Sequence, residues 1–207
     1  MPDTISPPFR DGRRERGDRA RGPILAEAVR LASEEGLEGL TFGRIASEAN
    51  VAKSSIQVLF GSREKLQLAT LDEAMDLYRR SVVEPALSKG SPLACLTALL
   101  ENWYDFVRSR TLPGGCFLNA VSSEFRCRPG PIRARIQAYR ENKRACFREL
   151  IGQAQRAGEL RADLDAERLL FAWVACEAAA NVAALMGDEE EFERARAFAL
   201  APLSASC

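Results

Sequence analysis

Residues 41–60 read TFGRIASEANVAKSSIQVLF, and their spacing decides how the rest of the chain is understood. Phe42, Ile45, Ala46 and Ala49 recur at three- and four-residue intervals, the period of one helix face. Thr41 stands just before them, where a hydroxyl satisfies the unpaired N–H groups of a helix start. Asn50-Val51 supplies a turn, because asparagine tolerates left-handed backbone. A second short helix over 53–60 then offers Ile56, Leu59 and Phe60 for packing. Two helices joined so tightly must approach closely, which requires a small residue at Ala46. The crossing leaves Lys53, Ser54, Ser55, Gln57 and Val58 on the outer side of the later helix. Short donors and acceptors on a small helix suit a major groove about 12 Å wide.

Upstream, Ile24, Leu25, Ala28, Leu31 and Ala32 follow helical spacing, and Gly36 ends that helix. Downstream, Ser62 opens a long amphipathic helix reaching Val83, closed by Pro85 and the Ser88-Lys89-Gly90-Ser91-Pro92 cluster. Further helices are expected over 93–110, 116–125, 132–157, 165–186 and 189–200. Pro113-Gly114-Gly115, Arg128-Pro129-Gly130-Pro131, Gly158 and Gly187 punctuate them. Leucine, alanine, glutamate and arginine dominate while β-branched and aromatic residues are sparse, so sheet is not expected. The fold class is therefore all-α: an N-terminal three-helix helix-turn-helix DNA-binding domain, then a larger helical domain. The boundaries are a flexible basic arm over 1–20, the DNA-binding domain over 21–66 and the helical remainder over 67–207.

The chain carries 29 basic and 29 acidic residues, so net charge gives no hint of a nucleic-acid partner. The distribution does. Arg10, Arg13, Arg14, Arg16, Arg19 and Arg21 face only Asp11, Glu15 and Asp18, which reads either as a phosphate-seeking arm or as a solvated tail. Six cysteines without a Cys-x-x-Cys pair, and no histidine, speak for a reducing compartment. They speak against zinc sites and histidine-based nucleophile systems, so no metal, cofactor or catalytic residue is expected. The N-terminus shows no apolar run, hence no signal peptide, and the cytoplasm is the expected location. Residues 169–186 approach the length of a membrane span, but Glu177 and Asn181 interrupt them, and a helix buried by protein on nearly all sides is the expectation. Asp72 and Asp76, one helical turn apart, are read as a solvated face rather than a catalytic pair.

The run ILAEAVRLASEEGLEGLTFGRIASEANVAKSSIQVLFGSREKL, residues 24–66, resembles the DNA-binding domain of TetR/AcrR-type transcriptional regulators. The likeness lies in Gly36, Leu40-Thr41-Phe42, Ile45-Ala46, Ala49-Asn50-Val51, Lys53-Ser54 and the Phe60, Ser62, Glu64, Leu66 series. It implies a sequence-specific DNA-binding regulator, a repressor released from a double-stranded operator by a small-molecule effector, with residues 67–207 as a helical ligand-binding and dimerisation domain that takes the effector. The stretches 114–117 and 124–131 are similar to one subgroup of these regulators. Gln57 and Leu59 depart from the family's usual tyrosine and histidine; Gln57 can still read adenine, whereas Leu59 cannot donate to phosphate. Arg63 replaces a usual lysine. On this reading Lys53, Ser54, Ser55, Gln57 and Val58 face bases or nearby phosphates, and Thr41, Arg44 and Arg63 anchor the DNA backbone.

Such a reading head normally works as a two-fold pair. The helices over 132–157 and 165–186 are expected to form a four-helix bundle with their copies in a homodimer, Ala172, Ala175, Ala179 and Ala183 permitting close approach. The family's effector acts by shifting the long helix that follows the head. For its pocket the sequence offers Trp103, Tyr104, Phe106, Phe117, Phe125, Phe147 and Trp173 as apolar wall, most of them also readable as ordinary core, and Asn119, Glu124, Glu177 and Asn181 as polar residues that also read as structural or exposed, with Phe106, Phe117, Asn119, Phe125, Glu177 and Asn181 foremost among candidates beside the two tryptophans. Cys116, behind two glycines at a helix start, is read as a small buried residue, with a redox thiolate as the alternative. The rival to the whole reading is a helical enzyme or an adaptor without DNA binding.

Overall fold

A computed structural model describes the backbone of residues 12–204 and the side chains of residues 21–204. Among the described residues every regular element is helical: α1 Gly12–Glu35, α2 Phe42–Glu48, α3 Lys53–Phe60, α4 Arg63–Tyr78, α5 Glu84–Leu87, α6 Pro92–Arg108, α7 Phe117–Glu124, α8 Pro131–Arg156, α9 Ala166–Met186 and α10 Glu189–Ser204. A single tight turn at Leu37–Gly39 links α1 to α2. The helix starts use the expected chemistry. The Thr41, Ser62 and Ser91 hydroxyls accept from the backbone N–H of Arg44, Lys65 and Ala94, and the Asp165 carboxylate accepts from Glu167 and Arg168.

The first three helices form a small layer around Ile24, Ala28, Leu31, Leu40, Ile45, Ile56 and Phe60, all buried. α4 runs from this layer into the larger bundle, where α6 sits centrally with Leu96, Leu99, Leu100, Trp103, Tyr104 and Val107 inside. The last helix is pinned by two aromatic donors: Tyr104 to the Ala195 carbonyl at 3.2 Å and Trp173 Nε1 to the Ala199 carbonyl at 2.9 Å.

Four expectations change. The basic arm over 1–20 is described only from Gly12, where its backbone is helical and continuous with α1 through Pro23, in keeping with the helix propensity of its arginine, glutamate and alanine residues. The arm's arginines before Arg21 lie outside the described side chains; Arg21 itself rests over the Phe60 ring at 4.9 Å. Pro85 does not close the long helix. The wider π-type turn Arg79–Val83 precedes it and the helix resumes as α5. A proline lacks an N–H and crowds the carbonyl four residues back; the wide turn gives the ring room, and Asn102 Nδ2 donates to the Val82 carbonyl at 3.1 Å. Asp72 is half-exposed yet does more than face solvent, since Arg135 reaches both its oxygens at 2.6 Å and the Tyr139 hydroxyl donates at 2.8 Å, tying α8 to α4.

The fourth change concerns α9. It is long and apolar enough to cross a membrane by length and composition, but protein does not cover it on nearly all sides. Leu170, Trp173, Glu177, Ala180 and Asn181 face inward, while Phe171, Val182 and Met186 are 74, 59 and 80% exposed on the opposite face. Ala175 and Ala179 belong to that bare face, Ala172 is half-buried and Ala183 lies in the core. Phe198 of α10 adds another exposed ring, whereas no large apolar side chain of α8 is exposed.

Candidate functional site

The turn between α2 and α3 is set by Asn50, whose φ of 52° lies in the left-handed region, and by a 2.9 Å bond from the Val51 N–H to the Ala46 carbonyl. That bond and the small Ala46 seat α3 across α2, with Ile56 and Phe60 buried beneath it. On the outer face Lys53, Ser54, Ser55, Gln57 and Val58 are all exposed, Val58 to 84%. No side chain caps α3. Its first N–H groups thus stay open to an anion, a position where helix geometry favours phosphate.

The expected backbone anchors are already engaged within the chain. Arg44 pairs with Glu35 at 2.5 Å and Glu48 at 3.7 Å, both exposed pairs of little cost to exchange for phosphate. Arg63 is more committed. Its Nε donates to the Leu40 carbonyl at 2.9 Å and its terminal nitrogen donates to the Glu38 carbonyl, with the Glu38 carboxylate 3.3 Å away. Thr41 caps α2 and remains exposed.

The turn at residues 37–40 is a seam between the head and the rest of the molecule. From α4, buried Gln67 donates to the Leu37 carbonyl at 2.7 Å. From the end of α7, the two Glu124 oxygens accept the N–H groups of Leu37 and Glu38 at 2.9 and 2.8 Å. Gly36, at φ +81°, leaves room for that carboxylate; a Cβ there would lie 2.9 Å from it. The loop before α7 is fitted as tightly: a Cβ on Gly114 would lie 1.6 Å from the Ser33 carbonyl oxygen, so only glycine permits α1 to pass.

Between α4, α6, α7 and α8 lies a cavity of about 260 Å³ walled chiefly by Met75, Leu99, Phe106, Leu112, Phe117 and Phe147. Tyr78, Tyr139, Lys143, Cys116 and Cys146 also border it, with Asp76 and Arg79 paired at 3.2 Å. Lys143 is joined to both oxygens of buried Glu177 at 2.6 and 2.5 Å, and its ammonium lies 5.8 to 5.9 Å from the ring centres of Tyr78, Trp103 and Phe147. Burial pulls the ammonium down, but the facing Glu177 carboxylate more than reverses this and holds it above the ordinary lysine range. Burial pushes the Tyr78 phenol and the Cys116 and Cys146 thiols up. Burial and the Asp72 hydrogen bond push Tyr139 up to about 12.

Of the residues offered as pocket lining, Phe106, Phe117 and Phe147 border this cavity. Trp103 stands behind it over Lys143. Trp173 is tied to α10, Phe125 is buried elsewhere, and Glu177 is spent on Lys143. Asn181 accepts the Cys116 N–H at 2.7 Å, and Asn119 shares with it an open groove beside Val182 and Leu185. These five serve packing, pairing or turn geometry rather than the cavity wall. Cys116 is buried with its thiol held neutral, against the thiolate alternative. Sequence reading missed Tyr78, Tyr139, Lys143 and Cys146. A signal existed for Lys143, which occupies the inward register of α8 defined by Ile136, Phe147 and Leu150.

The profile of bacterial regulatory proteins of the tetR family matches residues 24–70, and that of the tetracyclin repressor-like C-terminal domain matches residues 92–199. The chain belongs to the TetR family. It is thus a DNA-binding transcriptional regulator, and the helix-turn-helix at α2 and α3 is the family's reading head. Among relatives of this TetR-family chain is the transcriptional regulator AcuR of Cereibacter sphaeroides, 28% identical over 86% of each protein. A TetR regulator from Chloroflexus aurantiacus superposes with a TM-score of 0.84 at 23% identity, covering 93% of this chain and 98% of that one. AibR, solved in complex with isovaleryl coenzyme A and operator DNA, superposes with a TM-score of 0.68 at 21% identity, covering 90% of this chain and 99% of that one.

Proposed function

We propose that the protein is a homodimeric repressor in the cytoplasm that places α3 of each protomer in the major groove of a two-fold double-stranded operator and lets go when a small effector fills the cavity. Residues 21–66 read the DNA, and residues 67–207 sense the effector and pair the protomers. The observation that carries this is that α4 both seats the reading head and walls the cavity: Gln67 holds the turn at Leu37 while Met75 and Tyr78 border the enclosed space. A ligand that prefers one position of α4 therefore biases the separation of two reading heads.

Lys53, Ser54, Ser55, Gln57 and Val58 face the bases and flanking phosphates, with Thr41 and Arg44 on the backbone. Arg63 acts first as a strap on residues 38–40 and reaches phosphate only by giving up those bonds. For the dimer, exposed Phe171, Val182, Leu185 and Met186 favour α9, and exposed Phe198 favours α10 as its partner in the bundle over α8, whose outward face is polar. Asn119, whose buried Nδ2 has no acceptor among the described residues, borders the same groove as Val182 and Leu185. The name of AcuR, the repressor-like profile and the acyl-coenzyme A and operator complex of AibR agree with this reading.

The test is selection of an operator from random DNA, followed by binding at several salt concentrations and a reporter transcription assay. Selective, salt-dependent binding that lowers transcription is expected. Binding that does not distinguish the selected site from random DNA would overturn the proposal.

A further inference from the structure

We infer that the cavity takes a small, neutral, largely apolar molecule with one strong hydrogen-bond acceptor, of the ketone, ester or lactone class, whose oxygen is held by Lys143 and Tyr78. This rests on reading the cavity as the effector site. The wall is mostly hydrocarbon, from Leu99, Phe106, Leu112, Phe117 and Phe147, and at about 260 Å³ it is smaller than most drug-sized sites. A compact apolar body is required.

Its charges are already balanced. Lys143 is matched by Glu177, whose side chain is 5% exposed, and Asp76 by Arg79. An anionic ligand would have to draw Lys143 away and leave a buried carboxylate without a partner, a strongly unfavourable exchange. A cationic ligand would stand beside an ammonium that already occupies the space among Tyr78, Trp103 and Phe147. A neutral ligand disturbs neither pair.

What the wall still offers is donors. An ammonium has three N–H groups, and Glu177 takes two. The Tyr78 hydroxyl has no hydrogen bond among the described residues, although the ring borders the cavity and lies 5.8 Å from the Lys143 nitrogen. Two unspent donors bordering one apolar cavity specify one acceptor oxygen. Hold rather than covalent capture is expected, because the ammonium is kept protonated and the Cys116 and Cys146 thiols neutral.

The test compares 2-octanone with octanoate, octylamine and octane on the full-length dimer, by calorimetry and by release of the selected operator. The ketone is expected to bind at least about tenfold more tightly than the anion, the cation or the alkane. Tyr78→Phe should weaken the ketone about fivefold and leave the alkane unchanged, as loss of one hydrogen bond does. A double variant, Lys143→Met with Glu177→Leu, removes both buried charges together so that the fold tolerates the change, and should weaken the ketone but not the alkane, leaving only the part of the preference that Tyr78 supplies. Tightest binding by octanoate or octylamine, an unaltered ketone affinity in Tyr78→Phe, or no binding by any probe would overturn the inference. Tight ketone binding with the operator still held would uphold the ligand class and overturn the effector reading instead.

Discussion

Gln57 and Val58 are neighbours on α3, both exposed, Val58 to 84%, and the Gln57 amide has no side-chain hydrogen bond among the described residues. An amide reads adenine and an apolar group meets the thymine methyl. Lys53 at the start of α3 bears a mobile charge better suited to phosphate. Replacing Gln57 by alanine is expected to cost about 1–3 kcal/mol on the preferred operator and to relax preference at one base pair. Lys53→Ala should weaken all sequences alike and reduce the slope of log affinity against log salt by about 0.9. Anisotropy titrations at several salt concentrations separate the two, and interchanged results would exchange the roles. Cys116 supports a different prediction at this scale. Its buried thiol titrates above the ordinary range, so the stability it lends is fully present below the unfolded thiol value of about 8.5 and is lost as pH rises through the folded one. Urea midpoints should hold level from about pH 6 to 8 and fall above that, less steeply in Cys116→Ala. A fall that begins on the acid side would contradict the assignment.

Glu124 at the end of α7 reaches across to the turn at Leu37 and Glu38, while Phe117 at the start of the same helix borders the cavity. α7 thus connects the two halves independently of α4. Replacing Glu124 by alanine strands two backbone N–H groups and should cost about 1–3 kcal/mol in urea unfolding. Gly36→Ala adds the strain of φ +81° and a contact 2.9 Å from the carboxylate. In the Glu124→Ala background the contact vanishes and only the backbone strain is left, so the two changes should couple in a double-mutant cycle; strict additivity would refute the latch. The elements themselves were legible in the sequence because their signals are local: Thr41, Ser62, Ser91 and Asp165 at helix starts, glycines at the ends, apolar residues at helical spacing. The seam and the cavity were not, since Glu124 meets Leu37 across 87 positions and Lys143 meets Glu177 across 34. The π-type turn before Pro85 escaped for a related reason, as one of its carbonyls, that of Val82, is bonded by Asn102 on another helix. The aromatic residues were correctly placed inside, but hydrophobicity alone does not distinguish Phe117 on the cavity from Phe125 in plain core.

At the scale of the whole molecule, Phe171, Val182, Leu185 and Met186 stand exposed on one side of α9 and Phe198 on α10. In the proposed homodimer these exposed apolar residues are the association surface. The composition of α9 suggests a helix buried on nearly all sides, and in the proposed dimer a second copy supplies the cover that the protomer lacks. A two-fold interface presents each residue to its own neighbourhood in the partner, so one introduced carboxylate appears twice in the same small area. Val182→Glu is therefore expected to yield monomers at micromolar concentration by sedimentation velocity. Because position 182 is exposed in the protomer, melting of the variant should stay cooperative. The consequence for DNA follows from linkage of the heads: once one α3 is seated, its partner binds as an intramolecular event, and loss of that linkage costs on the order of 10²- to 10⁴-fold in operator affinity. Binding to a single half-site should be unaffected, since α2 and α3 lie in the other layer of the molecule. A Val182→Glu protein that remains dimeric and grips the full operator like the parent would show that the pairing surface lies elsewhere than on α9.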